Sequence, residues 1–92
     1  MMSNVGTFQS GVVANFLLGR EIANYREQCS LSQTVVAEKM NADYHWLKKI
    51  EAGLDTISAS DLYVLCKILG VSMNEIYNRV FEDQALSRAS VS

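Results

Sequence analysis

The stretch SQTVVAEKMNADYHWLKKIEAG, residues 32–53, decides the architecture of this chain. Its apolar residues Val36, Met40, Leu47 and Ile50 return at intervals of three and four, the spacing of a buried helical face and not the alternation of a strand. Two caps punctuate the run. Ser32 can accept free N–H groups at the start of a helix over about 33–41, and Asp43 can do the same for one over about 44–52. Val35 stands where a full capping box would carry a carboxylate. Gly53 supplies a left-handed stop. The spacing therefore predicts two short helices joined by a tight turn, with small Ala37 letting them cross closely and the four apolar residues holding the crossing. The outward face of the second helix is then Tyr44, His45, Lys48 and Lys49, with Trp46 at its shoulder.

The same periodicity extends outward on both sides, through Leu18, Ile22, Tyr25 and Cys29 before the stretch and Leu62, Leu65 and Leu69 after it. Ser58 with Asp61 and Ser72 with Glu75 are serine-x-x-acid boxes that open helices near 59–69 and 73–80, and Gly70 closes the former. An earlier helix starts somewhere in 8–14 and ends near 28. With no proline and five glycines, the chain predicts five helices and an all-α fold. Residues 1–10 are expected as a flexible segment, 11–81 as the helical domain and the serine-rich 82–92 as a frayed tail.

At 92 residues there is room for one domain, which excludes a multidomain enzyme. Apolar residues make up 49% of the chain and charged ones 20%, enough to bury a core. The net charge of −2 argues against wrapping nucleic acid or coating an anionic membrane non-specifically, but leaves room for a small basic patch. Cys29 and Cys66 lack zinc-site spacing and His45 is the one histidine, so neither metal nor cofactor is expected. Both thiols read as small buried hydrophobes, in keeping with a reducing cytosol. Neither a signal peptide nor a membrane span is expected, so the protein should be cytoplasmic with no membrane partner. No nucleophile or base has a plausible orienter, which leaves no case for an enzyme.

Residues 18–77 resemble the Cro/CI-type (xenobiotic response element) helix-turn-helix family of phage and bacterial repressors. The marks are Leu18-Gly19 followed by Ile22 and Arg26; Ser32-Gln33 followed by Val36-Ala37; Ile50-Glu51-x-Gly53; Ser58 with Leu62; and Leu69-Gly70-Val71-Ser72 ahead of Glu75-Ile76. The resemblance implies a five-helix, lambda-repressor-like DNA-binding domain, here with an extended first helix. It also implies that Arg26 and Glu51 form a partly buried structural ion pair and read no bases. Gln33 matches the family's phosphate-contacting glutamine, where a helix N-terminus also favours an anion; a plain surface residue beside a cap is the alternative.

Gln33, Thr34, Tyr44, His45, Trp46, Lys48 and Lys49 form the DNA-binding set implied by this match, with Tyr44 and His45 leading into the major groove and Lys49 one turn later. Lys48 and Lys49 could instead be an ordinary solvated face and His45 idle, while Trp46 could pack across the turn onto Met40 or Leu47. The chain also departs from the family. Tyr-His-Trp is bulkier than the usual Gln, Ser and Thr, Leu54-Asp55-Thr56 replaces frequent Lys or Arg, and Ile57 stands where proline is common. Few phosphate contacts per monomer and reliance on a dimer follow.

Two apolar stripes could supply that dimer. On a helical wheel Ile22, Tyr25 and Cys29 cluster with Leu18, whereas Val12, Val13, Phe16 and Leu17 lie about 100–160° away. The other stripe is Ile76, Tyr77, Val80 and Phe81 in the last helix, with Leu86 beyond it. Either stripe could instead fold back over the domain. The leading expectation is a homodimeric transcriptional regulator on a palindromic double-stranded operator, most simply a repressor, controlled by its own concentration or by a regulatory protein. An antitoxin-like or antirepressor-like module that uses the same fold to meet protein is the alternative.

Overall fold

The computed structural model describes the backbone of residues 2–91 and the side chains of residues 14–82. Five helices follow in order: α1 (Met2–Gln28), α2 (Gln33–Lys39), α3 (Tyr44–Glu51), α4 (Ala59–Leu69) and α5 (Met73–Val91). There is no strand among the described residues, and no helix is long and apolar enough to cross a membrane. The middle three helices fall within a residue or two of their expected limits. The outer two are longer than expected: α1 already begins at Met2 and α5 runs to Val91, so residues 2–10 and 82–91, expected in a flexible segment and a frayed tail, are helical. Neither stretch holds a proline, so nothing in the backbone stops a helix already nucleated against the core.

All four caps form. Ser32 Oγ accepts the Val35 N–H at 3.1 Å and Asp43 Oδ1 the His45 N–H at 2.8 Å. Ser58 Oγ accepts the Asp61 N–H at 3.1 Å and Ser72 Oγ the Glu75 N–H at 3.0 Å. Glu75 turns its own carboxylate away from the cap, to accept from the Tyr25 hydroxyl at 3.1 Å. A carboxylate in the first turn of α5 thus ties it to α1, and Arg79 lies over the Tyr25 ring at 6.0 Å. Burial, then the bond to Glu75, pushes the Tyr25 hydroxyl above its ordinary pKa.

The helix ends follow one pattern that the sequence only half announces. Ser30, Asn41, Gly53 and Gly70 all take positive φ, between 54° and 75°, and end α1 to α4 in turn. After each, an N–H reaches back five residues to a carbonyl: Leu31 to Arg26, Ala42 to Ala37, Leu54 to Lys49 and Val71 to Cys66, at 2.9–3.2 Å. These are four Schellman stops, two of them built without glycine.

The core gathers residues from every helix: Ile22, Val36, Ala37, Leu47, Ile50, Leu62, Leu65 and Ile76 are each at most 2% exposed. Met40, Leu18, Trp46 and Tyr77 lie half-buried against it. Cys66 is buried, which raises its thiol pKa by desolvation. Cys29 departs from expectation. It is exposed, because α1 ends at Gln28 and the chain leaves the core there, although its Sγ lies 3.4 Å from the Leu69 carbonyl.

Two close approaches fix α1 against α3. A Cβ at Gly19 would run into the carbonyl oxygens of Ile50 and Glu51, so only glycine lets the helices come this near. At Gly53, where φ is +75°, a Cβ would meet the Phe16 Cα at 2.7 Å. The end of α3 is therefore seated directly on the α1 backbone.

Candidate nucleic-acid interface

Helix α3 divides cleanly by face. Leu47 and Ile50 are buried, and Tyr44, His45, Lys48 and Lys49 are all exposed on the opposite side. The spacing of positions i, i+1, i+4 and i+5 puts these four on one strip. Tyr44 and His45 meet edge to face with ring centroids 5.2 Å apart, and Lys48 Nζ lies 6.0 Å from the Tyr44 ring. The strip carries two ammonium groups, a phenol ring and an imidazole, a mixture that can donate to guanine, touch a thymine methyl and meet phosphate. Trp46 is half-buried against the core, so much of its ring packs, and what remains for a ligand is the outer part.

Behind this strip the end of α3 is held by charge. Arg26 Nε donates to Glu51 Oε2 at 2.7 Å and Nη2 to Oε1 at 3.0 Å, a two-pronged pair with side chains only 12% and 6% exposed. Arg26 Nη1 also donates to the Leu31 carbonyl at 2.8 Å, which braces the turn into α2. The bond to Glu51 chiefly holds the guanidinium in its charged form, above its already high ordinary value. With Glu51 so neutralised, Lys48 and Lys49 give the exposed strip a positive sign.

Gln33 lies half-buried at the start of α2, and its Nε2 donates to Glu51 Oε1 at 2.9 Å. The sequence carries no signal for that bond, because the partners are eighteen positions apart on different helices. Thr34 beside it is exposed. The loop after α3 is also tied down, by Asn15 Nδ2 donating to Thr56 Oγ1 at 3.1 Å. That contact too was not legible.

The two apolar stripes separate. Ile76 and Val80, expected at a dimer surface, are at most 2% exposed and belong to this chain's own interior, because α5 lies along α1 and turns them inward. Phe81 is 55% exposed and stacks on half-buried Tyr77 at 6.0 Å. On α1, Phe16 is 54% exposed and Leu17 half-buried; the side chains of Val12 and Val13 lie outside the described residues.

The geometry has a counterpart in sequence: residues 17–76 match the helix-turn-helix domain family, about two thirds of the chain. The chain belongs to that family. As a helix-turn-helix protein it is a DNA-binding regulator in the broad sense. No curated protein matches the chain. Among solved structures, the helix-turn-helix fold seen here matches the clp gene regulator ClgR from Corynebacterium glutamicum with a TM-score of 0.75 at 22% identity, covering 84% of this chain and 82% of that one. A second ClgR structure from that organism matches with a TM-score of 0.71 at 20% identity, covering 75% and 88% of the respective chains. At these identities the likeness is one of fold.

Proposed function

We propose that this helix-turn-helix protein is a transcriptional repressor that binds a palindromic operator as a homodimer, with α3 as its recognition helix. The observation that carries the reading is the strip of Tyr44, His45, Lys48 and Lys49, exposed together on a helix whose other face is core. In this reading His45 and Lys49 contact base edges, Tyr44 and the outer edge of Trp46 line the groove, and Lys48 and Thr34 lie toward phosphates. The fold shared with a protein described as a gene regulator supports it. So does the apolar surface of Phe16, Leu17, Tyr77 and Phe81, which two copies could cover while their recognition helices sit about 34 Å apart, one DNA turn.

Selection from a random double-stranded DNA pool tests the function. A single palindromic consensus bound with strong salt dependence is expected, and absence of salt-sensitive specific binding at micromolar protein overturns the reading in favour of a protein-binding module. Against the selected site, His45→Ala and Lys49→Ala should each lose about tenfold or more in discrimination while unfolding as the wild type does, and Lys48→Ala should reduce the salt slope by about one. Sedimentation of Phe16→Glu and Phe81→Glu locates the dimer surface. If both remain dimeric, neither stripe forms it.

A further inference from the structure

Within the DNA-facing set, Gln33 hydrogen-bonds through its side chain to the scaffold behind it. Glu51 Oε1 accepts from both Arg26 Nη2 at 3.0 Å and Gln33 Nε2 at 2.9 Å, while Oε2 takes Arg26 Nε at 2.7 Å. A carboxylate only accepts, so the amide nitrogen of Gln33 is the end that must face Glu51, and one of its two N–H groups is spent there. The same bond joins the first residue of α2 to the last residue of α3, at the end of the recognition helix remote from Tyr44 and His45. Those reading residues lie about 10 Å along the helix axis from Glu51, so a small tilt at the tie is felt at the groove.

We infer that Gln33 is a positioning residue that sets the angle of the recognition helix through Glu51, and is not primarily a grip on the DNA backbone. The inference rests on the DNA-binding reading above for its effect on operator binding. Gln33 carries no charge, so its removal leaves counterion release untouched. A tie that orients base-reading side chains acts on specific complexes only, whereas a phosphate contact acts on any DNA.

The test uses the whole chain and the DNA selected above. Gln33→Ala should bind the selected operator about tenfold more weakly, with an unchanged salt slope and affinity for scrambled DNA within about twofold of wild type. Equal losses on operator and scrambled DNA would make it a phosphate contact and overturn the inference. No loss on either would do the same. Gln33→Glu supplies an independent readout, because it sets a second carboxylate against Glu51. The introduced carboxyl then faces the Glu51 carboxylate, which favours its protonated form, and the protonated acid restores the lost donor. A group whose pKa is raised by folding contributes stability at low pH that is lost as pH rises through that pKa. Relative to wild type, this variant should therefore melt normally near about pH 5 and lose both melting temperature and operator affinity toward about pH 8. If its melting parallels wild type at every pH, Gln33 does not tie α2 to α3. If wild type selects no DNA, the regulator reading fails by itself, and this melting comparison still decides the tie.

Discussion

At its last turn α3 is gripped by Arg26, by Gln33 and by the bare backbone of Gly19, whereas at its first turn an aspartate cap holds it and the side chains reach into solvent. The two ends of one eight-residue helix thus do different work. The anchored end fixes where the helix lies, and the open end can change its side chains at little cost to the fold, since exposed substitutions seldom matter to stability. On the DNA-binding reading proposed above, positions 44 and 45 can therefore change without renegotiating the core.

The largest expected effect comes from breaking the anchored end. Glu51→Ala strands a nearly buried guanidinium and should cost about 3 kcal/mol in urea unfolding. A double change, Arg26→Met with Glu51→Leu, should recover much of that loss while operator binding stays impaired, which would separate the pair's role in placement from its role in stability. Gly19→Ala comes next, at about 2 kcal/mol, because the obstacle is the α3 backbone, which cannot rotate aside as a side chain would. If that variant unfolds like wild type, the close approach of α1 to α3 is wrong.

Asp43→Ala attacks the open end and should cost about 1 kcal/mol, with faster amide exchange at His45 and Trp46 and little change near Ile50. A global acceleration would erase the distinction between the two ends. The smallest effect is a gain: Ser30→Gly relieves a left-handed serine and should stabilise by roughly 0.5–1 kcal/mol, raising the melting temperature by a few degrees without touching DNA affinity.

Much of this was legible because caps and apolar spacing are local. Ser32, Asp43, Ser58 and Ser72 could be read as helix starts since the groups they satisfy lie two or three residues away. The Arg26–Glu51 pair came through resemblance and not from spacing. The stops at Ser30 and Asn41 carry a weaker signal than Gly53 and Gly70, because glycine alone takes positive φ without cost and asparagine only tolerates it. Ile76 and Val80 follow the alternative in which their stripe folds back over the domain, since periodicity shows that a helix has an apolar face, but not whether a helix of the same chain already covers it. For the same reason Cys29, apolar in its neighbours, turned out exposed past the end of its helix. The bonds from Gln33 to Glu51 and from Asn15 to Thr56 are set by how helices and loops come to rest on one another, information that no single segment carries.

The four left-handed stops also bear on the entropy of assembling the chain. Each closes a ring of only six residues, from Arg26 to Leu31 in the first case and from Cys66 to Val71 in the last, so little chain freedom is lost in placing one helix after another. Joining Tyr25 to Glu75 encloses a separation of fifty residues, an added loop-closure cost of about 2 kcal/mol relative to those six-residue rings. Bringing the first and last helices side by side is accordingly a costlier closure than any one of the turns between successive helices, the turn into α3 included.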